Sequence, residues 1–440
     1  MQQSKSSSRR GFLKASAALG AGAALASNLG VARSAHAAGS DTFRAVLIGC
    51  GGRGTGAAAN ALNAAENVKL VAAADAFPEQ VETAISQLVK RYGDRIDVPV
   101  ERRFAGLDAY KDAIAVDCDM VVIATPPGFR PPQYRAAIEA GKHVFMEKPL
   151  FTDAPGFNSV METNKLADEK GLKVGVGLQR HHEPYYQETI QRIHEGAIGA
   201  LSFLRVYWNM GNIWAKARKE GDTEMMYQVR NWQYFYYFGG DHIVEQHVHN
   251  LDVANWVMQG HPIEANGMGG RQRRDEFPDM GHIYDHHFVE FTYPNGVKLY
   301  SQCRQMPGCW DEVGEYAYGT KGMAVCASEI TGENAWKYPG KAKINSKDKE
   351  HVDLHRAIVE GAAYNEGWHG ATSTMTAVLG RMATYSGQKV TWEDAIAKGP
   401  SILPEILSFD ANPPILPGPD GTYKHAVAMP GIFQPFEKLG

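Results

Sequence analysis

Gly49, Gly51 and Gly54 stand in the spacing G-x-G-x-x-G, which suits a loop that holds a pyrophosphate. Gly49 permits the tight turn, Gly51 and its neighbour Gly52 let the backbone approach the anion, and Gly54 allows the next helix to pack on the preceding strand. The first N–H groups of that helix have no intrahelical partner and face the negative charge. Asp75 closes the following apolar run, where a carboxylate accepts hydrogen bonds from a ribose diol. An acid there repels a 2′-phosphate, so NAD is the expected cofactor, while Arg53 inside the loop leaves NADP open.

A second set of reactive side chains lies in the run GGDHIVEQHVHNLD, from Gly239 to Asp252. Glu245, His247 and His249 are metal-ligand types, and His181 or His182 from another strand would complete a site. Helical spacing argues against that site. It throws His247 off the face that Glu245 and His249 share four residues apart, so no metal is expected. On the shared face the carboxylate orients the imidazole. His286 and His287 sit in an alternating strand, so one ring faces inward and one outward. Trp214, Trp232 and Tyr236 belong to an aromatic segment between Gly211 and Gly240, where rings stack on a sugar or pack a core. Arg180, with Tyr185 or Tyr186, follows a strand end and can frame the same pocket.

These groups need a scaffold. Short apolar runs at 45–48, 68–73, 120–124, 143–146 and 174–178 alternate with helical stretches at 55–65, 78–91, 132–140 and 158–170. That rhythm predicts a doubly wound parallel sheet. Beyond residue 180, alternating aromatic and aliphatic runs at 201–208, 283–293 and 297–303 read as antiparallel strands, with Pro294-Asn295-Gly296 as a hairpin turn. A helix is expected over 372–385, followed by a Pro/Gly-rich tail.

At 440 residues the chain is long enough for two domains, and 44% hydrophobic with 21% charged residues is ordinary for a soluble globular protein. The first 37 residues differ: they hold no acid, Arg9-Arg10 precedes a weakly apolar run at 15–29, and Ala35-His36-Ala37 offers a small-x-small cleavage pattern. This resembles a twin-arginine export signal, too short and alanine-rich to span a membrane, and it implies a periplasmic or otherwise exported protein beginning near Ala38. Without its five basic residues, Lys5, Arg9, Arg10, Lys14 and Arg33, the chain keeps 40 Lys and Arg against 49 acids, a net −9. That balance argues against a nucleic-acid partner. The five cysteines show no C-x-x-C spacing and no disulfide framework, though a Cys303–Cys309 or Cys309–Cys326 bridge stays open.

Ala124-Thr125-Pro126 and the run AGKHVF ahead of Met146-Glu147-Lys148-Pro149 resemble the Gfo/Idh/MocA oxidoreductase family. So do the glycine loop, Gln179-Arg180, Ile198-Gly199, Gly239-Gly240, His249 to Asp252, and GTKG at 319–322. The resemblance covers most of the chain after the signal. It implies an α/β Rossmann doubly wound parallel sheet plus an α+β C-terminal domain with an open, mainly antiparallel sheet, and homodimers or homotetramers through that sheet. The expected divisions are the signal peptide 1–37, the dinucleotide-binding domain 40–170, the substrate-binding and oligomerisation domain 171–400, and the tail 401–440. Thr125, Pro126, Glu147 and Lys148 would join the loop at the cofactor. Lys148 and His249 inherit acid/base roles, with Glu245 and His247 beside them departing from the family pattern. Arg180, Tyr186, Trp214, Trp232, Tyr236 and Asp252 are the candidate substrate residues.

The expected reaction is hydride transfer from a sugar carbinol carbon to the nicotinamide, with His249 or Lys148 taking the hydroxyl proton and the other polarising the nascent carbonyl. Free NAD is scarce outside the cytoplasm, so folded export implies a bound, recycled cofactor. The alternative is an NAD-dependent glycoside hydrolase: transient oxidation at C3 acidifies C2–H, the aglycone leaves by elimination, and water adds, with His247 as an extra base. A non-catalytic sugar or dinucleotide sensor is the third reading.

Overall fold

The computed structural model describes residues 42–211, 213–274 and 280–439, and the expected export signal at 1–37 lies outside them. Strands β1 (Phe43–Ile48), β2 (Val68–Asp75), β3 (Arg103–Ala105), β4 (Met120–Ile123), β5 (His143–Met146) and β6 (Val174–Val176) form a parallel sheet in the order β3-β2-β1-β4-β5-β6. Their interiors are near-continuous Val, Ile, Leu and Ala because helices cover both faces. The connection direction reverses between β1 and β4, and a crevice opens there at the carboxyl ends of the strands. The glycine loop follows β1 and Thr125 follows β4, so both sit on that crevice. β6 carries this sheet past the division expected at residue 170.

The second sheet has nine strands: β7 (Leu201–Met210), β8 (Glu264–Gly270), β9 (His286–Thr292), β10 (Lys298–Gln305), β11 (Glu312–Gly319), β12 (Gly322–Val325), β13 (Glu329–Gly332), β14 (Trp336–Lys337) and β15 (Val390–Thr391). It runs in the order β14-β13-β12-β11-β7-β10-β9-β8-β15. Only β7 with β10 pairs parallel; the other pairs are antiparallel. Burial alternates along β9 and β10, so Val289, Phe291, Leu299 and Cys303 meet the helices on one face. Gly296 takes φ +81° in the β9–β10 turn, and its N–H donates to the Tyr293 carbonyl at 2.9 Å.

Seven helices bear on the site: α1 (Gly52–Ala64), α2 (Pro78–Tyr92), α3 (Glu224–Arg230), α4 (His242–Glu245), α5 (Val248–Met258), α6 (Ser346–Glu360) and α7 (Gly367–Ser386). The segment from Gly211 to Gly240 is more ordered than a long loop. Thr223 caps α3 by accepting the Met226 N–H, and Tyr234, Phe235, Tyr237 and Phe238 are fully buried against Phe77 and Phe129. The run around His247 is not one helix, because α4 ends at Glu245 and α5 begins at Val248. α6 has no counterpart among the sequence expectations. All five cysteines are free thiols, so neither candidate disulfide forms; Cys303 and Cys326 are buried and Cys309 is exposed. No helix among the described residues is long and apolar enough to cross a membrane.

Candidate functional site

Two adjoining cavities share Ala124 and Trp232 as walls. The first, about 120 Å³, is lined by Gly49, Gly51, Asp75, Thr125 and Pro126. Gly49 holds φ +93°, and a Cβ there would fall 2.6 Å from the Ala124 backbone. A Cβ on Gly54 would meet the Gly49 carbonyl oxygen at 1.8 Å, so loop and helix close only on glycine. Gly51 and Gly52 face open space, and α1, with Gly51 as its N-cap, has no side-chain cap and no acid in its first turn. Asp75 accepts the Cys50 N–H at 2.7 Å and the Phe77 N–H at 2.9 Å, which ties the loop to β2. Each carboxylate oxygen keeps a second lone pair for a hydroxyl. Burial raises the Asp75 pKa, opposed by those two amides. The uncapped helix, the open glycine face and the acid fit a dinucleotide, with pyrophosphate at Gly51–Gly52 and a ribose at Asp75.

Lys216, Val229, Arg230 and Trp232 of the second half roof this cavity. Arg230 is held by Glu79 of α2 at 2.7 Å and lies 3.7 Å over the Phe77 ring, and Lys219 reaches the same carboxylate at 3.1 Å. The tail braces the roof in turn: Thr223 donates to the Phe409 carbonyl at 2.7 Å, Gln228 to the Ile415 carbonyl at 2.7 Å, and Tyr423 to Glu224.

The second cavity, about 290 Å³, gathers Lys148, Glu245 and His249 with Gln179, Trp208 and Trp232. Lys148 donates to the Glu245 carbonyl at 2.6 Å and to its Oε1 at 3.1 Å. Glu245 therefore holds the lysine, where the sequence predicted that it would orient His249. The His249 ring stacks on Trp208 at 5.7 Å, and its Nδ1 has no hydrogen-bond partner among the described residues. Burial, then the Lys148 and Arg180 charges, hold this imidazole neutral, well below the ordinary histidine range. Arg53 lines this second cavity and bonds Glu147 Oε1 at 2.6 Å, so it is turned from the Asp75 end where it would have received a 2′-phosphate.

Several candidates lie elsewhere. His247 is fully buried on the sheet side, its Nε2 2.7 Å from Ser301 Oγ on β10, because the helix breaks just before it. It lines neither cavity, and the set Glu245, His247 and His249 does not converge on one point. Arg180 pairs with Glu315 at 2.7 Å and lies 5.8 Å over Trp208, while Tyr186 donates to the same Glu315 at 2.8 Å. Both therefore brace the wall behind Trp208. Asp252 points away, paired with His181 at 2.8 Å and accepting from Ser373 at 2.8 Å. Tyr236 packs in the core on His282 and accepts the Leu439 N–H. Trp214 is 45% exposed beneath the Lys216 ammonium and lines neither cavity. His287 faces inward and His286 outward as alternation requires, but the inward ring meets Thr384 and Asp241 in the core. His182 is clamped by Asp353 and Glu366 and is raised to about 10, burial opposing those two bonds.

Sequence reasoning missed Lys216 and Arg230 in the roof, and Arg130, Trp208, Lys347 and Glu350 around the second cavity. An amphipathic reading of α6 would have found the last two; the roof carries no local signature. Glu350 is 2% exposed, with Oε2 unpartnered among the described residues. Burial and the neighbouring Glu147 charge push its carboxyl well above the usual range.

Residues 43–178 match the model of the Gfo/Idh/MocA oxidoreductase family, NAD-binding Rossmann fold, and residues 186–325 match the Gfo/Idh/MocA C-terminal domain. The chain is 29% identical to an inositol 2-dehydrogenase of Rhizobium meliloti (strain 1021) over 224 residues, 51% of this chain and 57% of that protein. It is 37% identical to a glycosyl hydrolase family 109 protein of Shewanella amazonensis over 156 residues, 32% of this chain and 33% of that protein. Both alignments span less than two thirds of the relative's own length. The crystal structure of aldose-aldose oxidoreductase from Caulobacter crescentus complexed with glycerol superposes with a TM-score of 0.62 at 18% identity, covering 80% of this chain and 99% of that one, which shows a shared fold.

Proposed function

The chain belongs to the Gfo/Idh/MocA family of oxidoreductases, and on that premise we propose that it oxidises a carbinol carbon of a sugar or sugar derivative with a retained NAD. The observation that carries this reading is the convergence of Lys148, Glu245 and neutral His249 on a cavity adjoining the dinucleotide crevice. When bound, NAD supplies the hydride acceptor that such an oxidation requires. His249, uncharged and lining the cavity, takes the hydroxyl proton as the carbonyl forms. The Lys148 ammonium, fixed by two Glu245 oxygens, donates a hydrogen bond to the nascent carbonyl oxygen. Trp208 and Trp232 give the ring of the substrate apolar faces to lie on.

Retention of the dinucleotide is supported by the roof at 216–232 and its salt bridges to Glu79. It suits the export read from Arg9-Arg10, since an exported enzyme with a trapped cofactor must restore it with a second substrate. Inositol dehydrogenases among the relatives support a polyol or sugar substrate. The similarity to a glycosyl hydrolase family 109 protein supports a second reading, redox-neutral glycoside cleavage, in which the buried acid Glu350 would protonate the leaving group.

The test is to purify the protein, measure co-purified NAD(H) by absorbance, then offer free sugars and aryl glycosides. Reduction of the bound cofactor by a free sugar is expected. Aglycone release without net cofactor change would overturn the dehydrogenase reading in favour of the glycosidase, and absence of dinucleotide would overturn both.

A further inference from the structure

Four cationic side chains line the reaction cavity, Arg53, Arg130, Lys148 and Lys347, against three acids, Glu147, Glu245 and Glu350. Two of the cations are matched locally, Arg53 by Glu147 at 2.6 Å and Lys148 by Glu245 at 3.1 Å. Arg130 is buried behind the backbone of Glu147 and Pro149, donating to both carbonyl oxygens, with its Nε unpartnered among the described residues. Lys347 stands exposed at the mouth with no ion pair among the described residues, and its charge reaches His249.

The other acids at the start of α6 are turned elsewhere. Asp348 accepts from Asn60 and Asn63 of α1 at 2.7 and 2.9 Å, and Asp353 pairs with His182, Lys349 and Arg356. α6 therefore presents Lys347 and Glu350 to the cavity. Burial and the Glu147 charge favour the neutral form of Glu350, and with Glu350 ionised the lining would still keep a surplus positive charge. A concave site of one sign draws a ligand of the other, and a lysine at its rim offers a charge-assisted hydrogen bond. The volume of about 290 Å³ lies at the small end for ligand pockets, near ~300 Å³, and suits one sugar ring rather than a chain. α6 also lies beyond the residues matched by either family model, so this wall is particular to the region outside them.

Resting on the sugar-oxidation reading above, we infer that the substrate is a monosaccharide bearing a carboxylate, a uronic or aldonic acid, whose acid group is held by Lys347 at the cavity mouth. Binding is read by quenching of tryptophan fluorescence, since Trp208 and Trp232 line the cavity, on the purified full chain with its dinucleotide and without turnover. The probes are D-glucuronate, D-glucose and D-glucose 6-phosphate. Glucuronate is expected to bind about tenfold tighter than glucose, the weight of one charge-assisted hydrogen bond. Lys347→Met, an exposed position whose fold is checked by circular dichroism, is expected to abolish that preference. Equal binding of glucose and glucuronate would overturn the acid assignment and leave the sugar reading standing. Tighter binding of the 6-phosphate than of glucuronate would assign the anion to a phosphoryl group and overturn the carboxylate. A preference that survives in Lys347→Met would remove Lys347 from the assignment, and quenching by none of the three sugars would overturn both readings.

Discussion

The ammonium of Lys148 lies 2.6 Å from the backbone carbonyl oxygen of Glu245 and 3.1 Å from its carboxylate, so a residue just after β5 of the first sheet is held by one from the second half. Lys148→Met should lower kcat by about 10²-fold or more with the dinucleotide still bound, the usual weight of a positioned donor to a developing oxyanion. Glu245→Gln should cost less, because the carbonyl contact persists. Steady-state kinetics beside NAD(H) content per chain separates the two effects, and loss of cofactor in Lys148→Met would mark the lysine as structural.

His249 is held neutral by burial and then by nearby cations. A histidine free in water titrates near about 6.5. Because the folded pKa lies well below that, the base form persists as pH falls through 6.5. The pH profile of kcat/KM should stay flat across that value and fall only at lower pH. An inflection near 6.5 that vanishes in His249→Asn would contradict the assignment.

Gly54 and Gly51 should fail differently. Gly54→Ala drives a methyl against the Gly49 carbonyl, so both thermal stability and dinucleotide content should drop. Gly51→Ala has open space on the protein side, so the melting temperature should hold while bound NAD(H) falls. Calorimetry and absorbance on the same preparations check this contrast.

Glu350 has a folded pKa raised well above its ordinary value by burial and Glu147. A carboxyl of this kind contributes stability fully present below its unfolded pKa, and that stability is lost as pH rises toward the folded one. Glu350→Gln removes the titration. Its melting temperature relative to wild type should therefore climb between pH 5 and pH 8, and a flat difference would mean that Glu350 is ionised throughout.

Glu79 anchors the roof of the dinucleotide cavity through Arg230 and Lys219. Against burial, hydrogen bonds from its own backbone amide and from those two cations lower its pKa to about 2, so the anchor is charged at any pH the protein meets. Glu79→Ala should leave the fold intact and speed dinucleotide loss during gel filtration. Retention equal to wild type would mean that the roof does not gate exit.

The sequence showed the parts whose cause is local. The glycine loop and Asp75 are visible because a turn, a helix start and a strand end each demand particular residue types within a short span. The two sheets followed from periodicity. His247 lies off the face of Glu245 and His249 as helical spacing predicts, but its buried contact with Ser301 was not legible, because it depends on where α4 stops and a two-residue break between short helices has no hydrophobic signature. Arg180, Tyr186 and Asp252 sit near the site in sequence terms, yet each is captured by a partner distant in the chain, Glu315, Glu315 and His181 respectively. Lys216 and Arg230 reach the Asp75 cavity from far along the chain, through contacts that no local pattern encodes.

The way the roof is braced imposes an order on assembly. The six strands of the parallel sheet end at Val176, whereas the roof at 216–232 and the tail residues that hold it, Phe409, Ile415 and Tyr423, come later off the ribosome. Since domains fold as they emerge, the crevice beside Asp75 stands open while the second half is still being made. If the roof retains the dinucleotide as proposed, the moment to load it is during synthesis, before the roof and tail are made.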